Sequence, residues 1–190
     1  MLAFTQPNHT WNFSPDTIES YNIQNATFAD LTVGGGLIFD GKTNPIELTD
    51  KSILPTQSFS VSAWISIDSP SRWGGIIGCV QDNGDTEFGW VLGYNESQFT
   101  IGLSTEGSDD GNGKMDYLDS GDFTYEIGKW NYVVATYDGE TLKIFVNGNL
   151  CNETTTQHDP RELGKIKLSS ETQSGVAVTV VCKFSFKNNL

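Results

Sequence analysis

Trp130-Asn-Tyr-Val-Val-Ala-Thr-Tyr137, closed by Asp138-Gly139, and Thr141-Leu-Lys-Ile-Phe-Val146, closed by Asn147-Gly148, form the stretch whose reading decides the fold. Both runs are rich in β-branched and aromatic residues, which favour extended backbone. Asp-Gly and Asn-Gly are preferred pairs for type I′ reversals, which suit tight hairpins. Two such turns around a six-residue run predict a three-strand antiparallel meander.

Working outward, Phe59-Ser-Val-Ser-Ala-Trp-Ile-Ser-Ile67 alternates with a period of two. Side chains on a strand point to opposite faces in turn, so Phe59, Val61, Ala63, Ile65 and Ile67 share a core face. Ser60, Ser62, Trp64 and Ser66 share a polar face carrying one large ring. Further strands are expected at Gly36–Phe39, Ile46–Leu48, Ile76–Val80, Gly89–Tyr94 and Phe99–Leu103, each bounded by Gly, Asn, Asp or Pro. Near the end, Val176, Val178, Val180, Cys182, Phe184 and Phe186 alternate with Ala177, Thr179, Val181, Lys183, Ser185 and Lys187, predicting another half-buried strand with Cys182 facing the core. No window has convincing helical periodicity; Asp16–Tyr21, opened by Ser14 and Pro15, is at most one short turn. Many short strands separated by turns predict an all-β, two-sheet antiparallel sandwich of the jelly-roll kind.

The 190 residues, 37% of them hydrophobic, suffice for one domain with a core, and no repeat or low-complexity tract divides them. Residues 1–190 are therefore read as a single domain. Eleven basic residues stand against 24 acidic ones, a formal net charge of −13. That balance repels phosphate backbones and anionic lipid, which argues against nucleic acid or membrane surfaces as partners. No apolar run is long enough to insert into a bilayer. Met1 to Trp11 lacks the basic start and apolar run of a signal peptide. The sequence carries no signal of oligomeric state.

Leu37-Ile-Phe-Asp-Gly41, Ile46-Glu-Leu48, Phe59-Ser-Val-Ser-Ala-Trp-Ile65, Gly128-Lys-Trp-Asn-Tyr-Val-Val-Ala-Thr-Tyr-Asp-Gly139 and Leu142-Lys-Ile-Phe-Val-Asn-Gly148 follow one another in an order and spacing that resembles laminin G-like, concanavalin A-like domains. The resemblance is clearest over residues 10–150. It implies two stacked sheets with a curved concave face, commonly used for carbohydrate or extracellular protein recognition, and so an extracellular or cell-surface setting. Residues 165–190 depart from the family. The expected closing segment of the Ile-Asp-Glu-Val type has Val181-Cys-Lys-Phe184 as its nearest counterpart. A structural calcium site that depends on that aspartate is therefore not implied. Cys151 and Cys182 have a separation like that of bridged pairs in some animal relatives, which would leave Cys79 buried and reduced. Three reduced thiols is the equal alternative.

Calcium is the first candidate ligand, because hard oxygen donors suit it and glycines between acids let several oxygens converge. The best cluster is Ser108-Asp109-Asp110-Gly111-Asn112-Gly113 with Asp116, giving Asp109, Asp110, Asn112 and Asp116 as ligands. A second is Asp82-Asn83-Gly84-Asp85 with Glu87. Neither has the EF-hand spacing, and solvated turns use the same residues for their turn propensity. Asp40 reads as a turn residue.

Aromatic side chains are the second candidate, since sugars stack their apolar faces on rings. Trp11, Trp64, Trp73, Trp90 and Trp130 are the five tryptophans. Trp130 is expected in the core, as are Trp90, Leu92 and Tyr94 on one strand face. Trp73 reads as a loop ring beside Arg72 and two glycines; capping a sandwich edge is the plainer role. Trp64 lies on the serine face, either covered by a loop or exposed in the groove. Arg72, Trp73, Trp64, Asp82 and Asn83 are the expected ligand-binding set, drawn from rim segments 71–75, 82–87 and 108–116 and from whatever the concave sheet exposes. Asn8, Asn12, Asn25, Asn95 and Asn152 stand in N-x-Ser/Thr sequons, glycan acceptors in a eukaryotic secreted protein.

Catalysis is not expected. Glucanases of this fold place carboxylates at alternate positions of one strand, about 5 Å apart for a retaining mechanism. Neither Glu-x-Asp-x-Glu nor Glu-x-Asp-x-x-Glu occurs. Lyases need clustered Arg, His and Tyr, yet Arg72, Arg161, His9 and His158 are scattered. The sequence thus predicts a non-catalytic recognition module, with a structural spacer domain or a degenerate glycan-cleaving enzyme as alternatives.

Overall fold

The computed structural model describes residues 9–12, 27–29, 36–39, 46–48, 58–82, 87–104, 115–156, 166–168, 178–180 and 183–186. Every regular element among them is a strand: β1 (His9–Asn12), β2 (Thr27–Ala29), β3 (Gly36–Phe39), β4 (Ile46–Leu48), β5 (Phe59–Ile67), β6 (Trp73–Asp82), β7 (Glu87–Asn95) and β8 (Phe99–Leu103). Then come β9 (Asp116–Asp119), β10 (Asn131–Tyr137), β11 (Thr141–Val146), β12 (Asn149–Thr155), β13 (Ile166–Leu168), β14 (Val178–Val180) and β15 (Lys183–Phe186). One sheet runs β12-β11-β10-β5-β14-β3-β2, the other β4-β13-β6-β7-β8-β9. All pairs are antiparallel, and β15, paired with β1, also lies against β5. The fold is the expected two-sheet sandwich. No helix among the described residues is long and apolar enough to cross a membrane.

The alternation of β5 becomes the core. Phe59, Val61, Ala63, Ile65 and Ile67 are buried, and so are Val133, Ala135, Tyr137, Leu142, Ile144 and Val146 from the meander. The facing sheet contributes Ile77, Cys79, Trp90, Leu92, Tyr94, Phe99, Ile101 and Leu103. Phe59 and Trp90 meet across the layers with ring centroids 5.1 Å apart. Burying one such side chain stabilises by about 1.5–3 kcal/mol, and truncating Trp90 to Ala would cost about 3–5 kcal/mol.

The two hairpin turns differ. Asn147 and Gly148 both have positive φ, 52° and 85°, as a type I′ reversal requires. At the other turn only Gly139 is positive, at 99°. Asp138 instead accepts the amide hydrogens of Glu140 (3.0 Å) and Thr141 (2.7 Å) on Oδ1. Glu140 lengthens that loop, so a mirror-image turn is not demanded there.

Three expectations are corrected. Trp130 is half-buried, one residue before β10, and lies outside the core cluster. Ser62 and Ser66 are buried, because small side chains on a central strand are covered by their larger neighbours. The closing alternation is divided between β14 and β15, with Cys182 outside the described residues, as are Asp40 and Asp16–Tyr21.

Candidate functional site

Strand parity fixes where each ring points. On β7, Trp90, Leu92 and Tyr94 face the core, so Asn95 faces away from it. Trp73 pairs with Asn95 and shares that outer face of the six-stranded sheet. On β8, Phe99, Ile101 and Leu103 face inward, so Gly102 and its partner Tyr117 face outward. Trp73 on β6 and Tyr117 on β9 thereby meet over the same face, across the two intervening strands, ring centroids 5.8 Å apart and planes tilted by 42°. They remain 54% and 49% exposed. Bare backbone makes room for the tyrosine: a Cβ at Gly102 would lie 2.7 Å from Tyr117 Cε1.

Beside this pair lies a shallow recess of about 290 Å³, lined by Arg72, Trp73, Asn95, Glu96, Ser97 and Gln98. Its wall is the tight β7–β8 turn. Asn95 Oδ1 accepts the amide hydrogens of Ser97 (3.0 Å) and Gln98 (2.8 Å), and Asn95 Nδ2 donates to Gln98 Oε1 (3.4 Å). Gln98 Nε2 donates to the Gly121 carbonyl, and the Tyr125 hydroxyl donates to the Asn95 carbonyl. Burial, with Tyr94 and Glu96 adding to it, pushes the Tyr125 phenol above its usual range. It stays a protonated donor at neutral pH. At the other wall the Ser71 hydroxyl donates to the Trp73 carbonyl (2.8 Å), fixing the entry into β6.

Of the expected ligand-binding residues, Arg72 and Trp73 come together here. Trp73 is a strand residue rather than a loop residue: it opens β6. Trp64 does not join them. It alternates with Ala63 and Ile65, so it faces outward from the seven-stranded sheet, on the opposite side of the sandwich. There it is 42% exposed and packs on Tyr132, its cross-strand partner, at 5.2 Å. Asp82 ends β6 opposite Glu87, and Asn83 lies outside the described residues.

Asp109, Asp110 and Asn112 also lie outside the described residues. Asp116 is the first residue of β9, half-buried and paired with Leu103, instead of a loop residue. Among the described residues no three metal-ligating side chains cluster. Tyr117 and Gln98 were not singled out by sequence reasoning. Tyr117 stands in a short Asp-Tyr-Leu-Asp segment behind a glycine-rich stretch, and its partner is far away along the chain.

A family model described as the concanavalin A-like lectin/glucanases superfamily matches residues 40–174. The chain belongs to that superfamily. The match begins later than the resemblance read from the sequence and extends further, past β13. Among curated proteins this concanavalin A-like chain is 24% identical to human Pappalysin-1 over 123 residues, and it matches the mouse protein to the same degree. That alignment covers 59% of the chain and 7% of the relative, so the chain spans a small part of the curated relatives it matches. Among solved structures it is similar to the botulinum neurotoxin serotype D binding domain, with a TM-score of 0.70 at 16% identity. That match covers 97% of this chain and 48% of the other. Domain 4 of AbnA, a GH43 extracellular arabinanase from Geobacillus stearothermophilus solved with arabinotriose, has a TM-score of 0.61 at 15% identity, covering 88% and 77%. At such identities the likeness is one of fold.

Proposed function

We propose that this concanavalin A-like domain is a non-catalytic, extracellular or cell-surface recognition module that binds carbohydrate on the outer face of its six-stranded sheet. The observation that carries the reading is the exposed Trp73–Tyr117 pair beside the Arg72 recess. An aromatic pair left half in water contributes little to the core, yet it offers flat apolar area on a rigid sheet at low conformational cost. A pyranose or furanose ring has a matching apolar face. The fold likeness to an arabinanase domain solved with arabinotriose supports the ligand class. Catalysis is not part of the reading. Asp119, which pairs with Thr100 on this face, accepts the Gly121 amide hydrogen (2.9 Å).

Calcium held by Asp109, Asp110, Asn112 and Asp116 belongs to the same proposal. Melting in calcium and again in chelator tests it; an unmoved midpoint would remove the metal from the reading.

The main test is a glycan array probed with the wild type, Trp73→Ala and Tyr117→Ala, with circular dichroism to confirm folding. Wild-type signal that both variants lose is the expected result. A flat array for the wild type would overturn the carbohydrate reading in favour of a protein ligand or a spacer role.

A further inference from the structure

Within the Arg72 recess, most polar groups are already committed. Asn95 spends its carbonyl oxygen on Ser97 and Gln98, and its amide on Gln98. Gln98 spends its amide on Gly121 and accepts from Asn95. The backbone carbonyls of Asn95 and Ser97 accept from Tyr125. What remains for a ligand is the Arg72 guanidinium, the Glu96 carboxylate and the Ser97 hydroxyl. Arg72 makes no ion pair with any described residue, although the chain carries 24 acids against 11 bases.

An exposed, uncommitted guanidinium beside an exposed indole sets two demands on an occupant. The ring stacks an apolar face, and the planar fork of donors pairs best with a planar two-oxygen acceptor. Neutral hydroxyls could satisfy Glu96 and Ser97, but they bring the guanidinium no negative charge to pair with. We infer that the recess selects acidic sugars, with a uronate or sialate carboxylate paired to Arg72, its ring on Trp73, and its hydroxyls toward Glu96 and Ser97. This inference rests on the carbohydrate reading and narrows it. The overall negative charge sharpens the selection: a polyanion is repelled at a distance, so the single local cation favours a lone carboxylate over a densely charged chain.

The test is an array whose arms carry uronic and sialic acid glycans, sulfated glycans, and neutral counterparts of the same backbones, probed with the wild type, Arg72→Gln and Arg72→Lys. The wild type is expected to retain the carboxylated arm, and Arg72→Gln to lose at least about tenfold of that signal, as befits one charge-assisted pair. Arg72→Lys keeps the charge without the fork and should fall between the two. Arg72 is exposed, so neither variant should shift the melting midpoint. Binding confined to the neutral or sulfated arms, or carboxylate binding untouched by Arg72→Gln, would overturn the selectivity while leaving a carbohydrate module standing. A silent array removes the underlying reading as well.

Discussion

The phenol ring of Tyr94 occupies the space that a side chain at position 74 would require: a Cβ built on Gly74 would lie 2.2 Å from Tyr94 Cζ. Tyr94 is buried, and its ring is in edge contact with Tyr125 at 6.4 Å, so it has nowhere to retreat. Gly74→Ala should therefore destabilise the domain by about 1–3 kcal/mol, the usual cost of overpacking a dense core. Urea unfolding would measure it. A loss below the error of the fit would show that the ring can move aside.

Asn147 carries both the φ and the side-chain bonds of its turn. Its Oδ1 accepts the Tyr132 amide hydrogen (2.9 Å), and its Nδ2 donates to Asn131 Oδ1 (3.0 Å). Asn147→Ala forfeits these bonds and strains a left-handed residue, with an expected loss of about 1–3 kcal/mol. Asn147→Gly keeps the backbone at ease, so its loss should be smaller. Equal losses from the two would assign the whole effect to the bonds.

Asp138 gives a pH signature. Hydrogen bonds from the Thr141 and then the Glu140 amide hold its carboxyl below the usual aspartate range, with Lys143 adding a little. A depressed folded pKa contributes stability above the unfolded value, about 3.9. That contribution is lost as pH falls through the folded value. The advantage of the wild type over Asp138→Ala should hold at pH 6–7 and shrink toward about pH 2. Chemical denaturation across that range would show it; an advantage that grew in acid would contradict the assignment.

Trp64 and Trp73 should part company. They project from opposite faces, so Trp64→Ala should leave binding at the Arg72 recess unchanged while costing about 0.2–1 kcal/mol through its lost cross-strand contact with Tyr132. Trp73→Ala should abolish that binding, with a comparably small stability cost from its lost contact with Tyr117. Isothermal titration paired with thermal melts separates the two, and a Trp64→Ala that abolished binding would place the ligand on the wrong face.

How much of this was legible in the sequence follows from the range of each interaction. The alternation at Phe59–Ile67 and the Asn147-Gly148 reversal are local, and they emerge as read. Along the chain Trp73 reads as a loop ring because Gly74-Gly75 looks like a break; in the sheet, Gly74 is bare to admit Tyr94 from the next strand. Tyr117 was missed because its worth depends on Trp73 and Gly102, brought beside it only by strand order. Trp64 and Trp73 look alike along the chain, and only the division into two sheets sets them back to back. The acidic stretch at Asp109–Asn112 lies outside the described residues, so its reading stays with the proposal above.

At one flank, the outermost strands of both sheets are fastened together. Asn152 on β12 donates to the Asp119 carbonyl on β9 at 3.1 Å, beside the Gly121 turn. A free strand margin is an invitation to add a stranger's backbone, the first step of fibrous polymerisation. Here the stitch between the layers hinders that growth along one side, so a neighbour seeking to extend either sheet would have to approach from the margins formed by β2 and β4.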